Sequence, residues 1–193
     1  MSDAERLMRE SIETKERFLR EGGGTVLQRM ADAIVGALRR GKRIYVCGNG
    51  GSAADAQHIA GELIGRFMRE RAPLPCIALT TDTSVLTAIA NDYSFDAVFE
   101  RQVIGLVAEG DVLLALSTSG RSANVVRAVQ AARARGAVTL GFSGRDGGRL
   151  LELCDLCLVA PSDVSARIQE VHITAAHILC ELVERDYFAS QER

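Results

Sequence analysis

The apolar positions of the first forty residues recur at helical spacing. Leu7, Met8, Ile12, Phe18 and Leu19 stand among charged residues, the pattern of an amphipathic helix. Gly22-Gly23-Gly24 interrupts the stripe, and Thr25 is placed to cap a second helix. Val26, Leu27, Met30, Ile34, Val35 and Leu38 form that helix's apolar face. Arg39-Arg40-Gly41 closes it with positive charge and a glycine stop.

From Arg43 onward the pattern changes to short apolar runs separated by helical segments. Strands are predicted at Ile44–Cys47, Ile77–Leu79, Val112–Leu116, Val138–Phe142 and Leu156–Val159. Helices are predicted at 52–66, 84–90, 96–107, 123–135 and 165–187. Strands alternating with helices define βαβ units and a parallel sheet. Strands that are apolar throughout are buried on both faces. The expected fold is α/β: a five-stranded parallel sheet flanked by helices in three layers, with a helical extension over residues 1–40. One domain spans 1–193. The extension and the last helix carry more apolar surface than one small sheet needs, so helix-mediated oligomers are expected.

Composition adds little to this picture. With 47% apolar and 25% charged residues and a formal net charge of −2, the chain is an ordinary globular protein. It lacks the basic footprint of a nucleic-acid binder. A charged N-terminus and the absence of any long apolar run predict a cytoplasmic protein without a membrane span. Five scattered cysteines fit that expectation. Cys154 and Cys157 form a C-x-x-C with no second pair, and are read as buried free thiols rather than a metal or redox site. Arg66, Arg69 and Arg71 are read as a solvated helix end, with anion binding as the alternative.

Two strand ends carry distinctive chemistry. Gly48-Asn49-Gly50-Gly51-Ser52-Ala53 follows the first strand, and Ser117-Thr118-Ser119-Gly120-Arg121-Ser122 follows the third. Both open helices. Glycine lets backbone approach an anion, a helix N-terminus supplies free N–H groups, and hydroxyls donate without fixed charge. The first loop also fits the loose dinucleotide pattern G-x-G-x-x-[G/A]. That pattern should bring an acidic residue about 20 positions on, and Asp82 comes too late. A nucleotide would also leave the second loop unexplained. A phosphorylated sugar accounts for both.

His58 and Glu62 lie four apart on the helix that leaves the first loop. About 400° of rotation leaves them within about 40° of one face. They suit one metal or an acid–base pair, although a plain surface pair has the same spacing. On the last helix, Gln169 and His177 are separated by about 80° and can converge. His172, about 140° from His177, should face elsewhere, as a core histidine would.

Taken together, Gly48-Asn49-Gly50-Gly51-Ser52, Asp55-Ala56-Gln57-His58-Ile59-Ala60-Gly61-Glu62-Leu63, Ala90-Asn91-Asp92-Tyr93, Gly110-Asp111-Val112, Ser117-Thr118-Ser119-Gly120 and Arg167-Ile168-Gln169-Glu170-Val171-His172 resemble the phosphoheptose isomerase branch of the sugar-isomerase (SIS) family. The resemblance runs over nearly the whole chain. It implies a flavodoxin-like SIS fold and isomerisation of sedoheptulose 7-phosphate to glycero-manno-heptose 7-phosphate, for heptose in bacterial surface polysaccharide. It further implies a homotetramer with active sites between subunits and one Zn2+ per subunit. By position, it places His58, Glu62, Gln169 and His177 at the metal. It places Asn49, Gly50, Gly51, Ser52, Glu62, Asn91, Asp92, Ser117, Thr118, Ser119, Ser122 and Gln169 on the substrate, and gives Glu62 and His177 the acid–base roles. The chain departs from some relatives at Ala166, where they carry Asp.

Such an isomerase moves a proton between neighbouring carbons through an enediol. Glu62 is the candidate base and His177 the candidate acid or shuttle. Two alternatives stay open: a non-catalytic SIS-fold protein of the replication-initiator-associating type, and an isomerase of another phosphosugar. Glutamine is also an uncommon zinc ligand, and Glu62 and His177 cannot be ordinary ligands and free proton carriers at once.

Overall fold

The structure is a computed structural model that describes residues 1–189. The last four positions of the expected 1–193 domain, 190–193, lie outside the described residues.

Two helices come first: α1 (Asp3–Arg20) and α2 (Gly23–Arg39). Ser2 caps α1 in a reciprocal pair with Glu5, as a serine three residues before a glutamate can. The second helix starts earlier than Thr25 suggested, with Gly22 at its cap. The cause is the tight corner: a Cβ on Gly23 would stand 2.2 Å from the Phe18 ring, so glycine lets α2 begin directly against α1.

The remaining elements are β1 (Ile44–Gly48), α3 (Gly51–Ile64), β2 (Cys76–Ala78), α4 (Thr83–Asp92), α5 (Glu100–Leu106), β3 (Val112–Leu116), α6 (Ala123–Ala134), β4 (Val138–Gly144), α7 (Gly148–Leu153), β5 (Leu156–Ala160) and α8 (Ser165–Ala189). The helix predicted over 96–107 splits into a 3₁₀ turn, Phe95–Ala97, and the shorter α5. The sequence reading did not anticipate α7. Its six residues are too few for a helical period to emerge from the apolar run around them.

All five strands are parallel, in the order β2-β1-β3-β4-β5. Alternate strand residues feed separate cores. Ile44, Val46, Leu114, Phe142 and Leu158 pack beneath α1, α2, α3 and α8. Tyr45, Cys47, Leu113 and Ala115 pack on the other face with α5 and α6. The chain reverses its winding between β1 and β3, the neighbouring strands that end in the two loops. Ligands of open α/β sheets settle in the crevice at such a switch point.

The cysteines are free, and burial pushes the Cys47 and Cys157 thiols up to about 12. Cys154 and Cys157 straddle Gly141, each sulfur 3.0 Å from where its Cβ would stand. Among the described residues, no helix is long and apolar enough to cross a membrane.

Candidate active site

The loop after β1 turns at Gly50, with φ 55° and ψ −120°, a conformation that favours glycine. The next residue, Gly51, lies flush against α8: a Cβ there would stand 2.4 Å from Gln169 Nε2. Gln169 is thereby brought to the first loop. Ser52 is buried in the first turn of α3.

The loop after β3 clusters its hydroxyls. Ser117 Oγ lies 3.0 Å from Ser122 Oγ and 3.5 Å from Ser119 Oγ, and the Arg121 amide donates to Ser119 Oγ at 3.2 Å. Thr118 is half-buried beside them. Ser122 stands at the cap position of α6 but makes no side-chain cap bond, so its hydroxyl stays with the cluster. At Gly120, φ is 64° and a Cβ would come within 2.0 Å of Gly147 O. Only glycine fits that turn.

Asn49 and Asn124 join the two loops. Each amide donates to the other's oxygen at 2.8 Å. Asn124 is 3% exposed, and its Oδ1 also accepts from the Val125 amide. Sequence reading missed Asn124, since nothing near it in the chain marks a partner on another strand's loop.

Of the four residues that the resemblance assigns to the metal, His58 and Glu62 of α3 and His177 of α8 lie together. His58 Nε2 lies 3.0 Å from His177 Nε2 and 3.1 Å from Glu62 Oε1. His58, Glu62 and His177 each offer a ligand atom, all within 4.8 Å of one another. One Nε2 can give its single proton to only one of two neighbours. Three lone-pair donors facing one point therefore fit a divalent cation, and two imidazoles with one carboxylate are zinc's preferred donors. Asp55, one turn before His58, is a further neighbour. Burial raises its carboxyl above the usual range, while His58 and His177 pull it the other way. Its i,i+3 spacing to His58 was the available signal.

His172 points elsewhere, as its angle on the helix predicted. It is fully buried, with Nε2 2.9 Å from Ser143 O and its ring 5.6 Å from Phe142. Asn91 and Asp92 end α4 on the exposed surface, where Asn91 Nδ2 donates to Asp92 Oδ1. Ala166 is exposed at the start of α8.

Arg71 corrects the reading of the arginine cluster as a solvated helix end. Its side chain is 2% exposed and bonded to the equally buried Glu184. The cause is a distant acid on α8, which local charge pattern could not reveal.

Fold and site together define a doubly wound α/β domain whose two ligand loops meet at the switch point of its sheet. The SIS domain family matches residues 5–144, and the chain belongs to that family. A phosphoheptose isomerase of Roseiflexus sp. (strain RS-1) is 54% identical over 178 residues, 92% of this chain and 90% of that protein. The phosphoheptose isomerase of Neisseria gonorrhoeae superposes with a TM-score of 0.87 at 43% identity, over 95% of this chain and 99% of that one. That of Francisella tularensis gives 0.89 at 36%, over 96% and 100%. An RpiR transcription factor's sugar isomerase domain from Sphaerobacter thermophilus covers 100% of this chain and 98% of its own, at 19% identity and a TM-score of 0.64; it shares the fold alone.

Proposed function

We propose that the chain is a phosphoheptose isomerase that converts sedoheptulose 7-phosphate to D-glycero-D-manno-heptose 7-phosphate, the first step toward heptose for bacterial surface polysaccharide. The observation that carries this reading is the convergence of His58, Glu62 and His177 beside two joined Ser/Gly loops. Its homologues along nearly the whole chain bear that name.

Ser117, Thr118, Ser119 and Ser122 hold the phosphate, aided by the free amides that open α6. Asn49, Gly50, Gly51, Ser52 and Gln169 face the sugar. Glu62 takes a proton from C1 of the ketose and returns it to C2, giving the aldose. His177 carries the hydroxyl proton between O2 and O1. His58, Glu62 and His177 would hold one zinc ion weakly, with one Glu62 oxygen left free as the base and His177 a labile ligand. Gln169, which lies against the first loop, would serve as a substrate contact or a fourth donor. The chemistry that bound zinc adds is polarisation of the sugar carbonyl. The two loops fix the far end of the sugar, so that proton transfer occurs within a positioned complex.

The working form is a cytoplasmic homotetramer. Leu7, Met8, Ile12 and Leu19 of α1 are 45%, 65%, 49% and 63% exposed, an apolar face of the sort that helices cover between copies. Asn91 and Asp92, exposed at the end of α4, contact the substrate in a site shared with a second copy.

The test is turnover of sedoheptulose 7-phosphate by the purified, zinc-loaded protein. Glu62→Gln is expected to lower kcat by about a thousandfold while substrate binding, read by calorimetry, changes little. No turnover by the wild-type protein would sink the proposal. Capture of an initiator protein by a metal-free, inactive chain would favour a binding role, and a panel of five- to seven-carbon ketose phosphates distinguishes the substrate.

A further inference from the structure

The segment between α3 and β2 is anchored by a buried ion pair that the reaction does not require. Arg71 Nε donates to Glu184 Oε2 at 2.8 Å, and both side chains are 2% exposed. The pair's remaining bonds run to the last turn of α3, which carries Glu62, and to the segment that follows it. Arg71 Nη2 donates to the backbone carbonyl of Glu62 at 2.8 Å. Its Nη1 donates to the carbonyls of Leu63, Gly65 and Ala72 at 2.8, 3.3 and 3.1 Å. These include carbonyls that the last turn of a helix leaves unpaired, so one guanidinium caps α3 where Glu62 sits.

Glu184 completes the tie. Its two oxygens accept the amides of Phe67, Met68 and Arg69 at 2.9, 2.8 and 3.1 Å. Phe67, held in this way, lies 5.9 Å ring to ring from His177. His177 and Glu184 are seven residues apart on α8, within about 20° of one stripe. The pair therefore bonds to the backbone of Glu62 from one side and shares a helix face with His177 on the other. A buried ion pair adds little net stability over an apolar pair of the same size. What it supplies here is registration between α3 and α8.

We propose that Arg71 and Glu184 are positioning residues that set the distance between His58 and Glu62 on α3 and His177 on α8. This rests on the reading of that cluster as the zinc-assisted centre of an isomerase.

The test compares Arg71→Lys and Glu184→Gln with Val129→Ala, a core truncation in the opposite layer of the sheet. Arg71→Lys keeps the charge but loses the fork that reaches Glu62 and Leu63 together. Zinc affinity is read by chelator competition, folding by circular dichroism, and kcat and KM with sedoheptulose 7-phosphate. Both ion-pair variants are expected to bind zinc about tenfold to a hundredfold more weakly. Their kcat falls while KM stays within about threefold. Val129→Ala loses thermal stability but keeps both properties. Folded ion-pair variants with wild-type zinc affinity and kcat would overturn the proposal, as would losses that Val129→Ala reproduces. Should Arg71→Lys not fold, Glu184→Gln, which preserves shape and one acceptor oxygen, decides by the same criteria. Should the wild type bind zinc yet turn over no heptose phosphate, the isomerase reading fails while the zinc comparison still judges the positioning.

Discussion

Ser117, Ser119 and Ser122 bring three hydroxyls into one small volume, held partly by each other. Hydroxyls that bond among themselves can turn toward an incoming anion without first shedding a fixed ionic partner. Removing two of them should act on the phosphate more than on the chemistry. Hydrogen bonds to a charged group contribute about 1.5 to 3 kcal/mol each. Ser117→Ala with Ser119→Ala is therefore expected to raise KM by at least about tenfold and to leave kcat within a few-fold, measured by steady-state kinetics. An equal fall in kcat with unchanged KM would contradict that assignment. This hydroxyl run was legible in the sequence because its members are neighbours in the chain. Asn124 was not, because its partner Asn49 arrives from another strand. Arg71 was misread for the same reason: Glu184 lies 113 positions away.

Among the elements, α8 does the most joining. It packs on α2 and α3, lays Gln169 against the first loop and delivers His177 to α3. It also seats on β4 through His172, whose Nε2–H donates to Ser143 O. Burial drives the His172 pKa from 6.5 down to about 4, opposed by the bond to Ser143. The folded protein thus refuses a proton that the unfolded chain accepts. The stabilisation is complete above pH 6.5 and is lost as pH falls through the window toward 4. The contribution is on the order of 3 kcal/mol. The wild-type melting temperature should fall more steeply across that window than that of His172→Gln, which cannot titrate. Parallel slopes in thermal melts would refute this. Element order and the five parallel strands were readable from the alternation of apolar runs and helical stripes. The short α7 and the break before α5 were not, since segments of six or seven residues hold too few turns to display a period.

At the scale of the whole molecule, the exposed apolar face of α1 is the surface on which the proposed tetramer would rest. Light scattering after size exclusion should give the mass of four copies of the 20.8 kDa chain. Ile12→Glu with Leu19→Glu should give smaller species and lower activity, since the shared site would come apart with the assembly. A monomeric wild type with full activity would rule out a site built between copies. The three-layer architecture also gives α3 a further property. His58 and Glu62 follow Ser52 by six and ten residues along one unbroken helix. At 1.5 Å per residue, the histidine stands about 9 Å along the axis from the loop. The helix acts as a gauge block between the two working ends. An inserted residue would lengthen it by about 1.5 Å and swing both groups by about 100°. Spacing along α3 therefore has no small adjustments: on the isomerase reading, a sugar of another length would be accommodated by exchanging side chains on a fixed gauge.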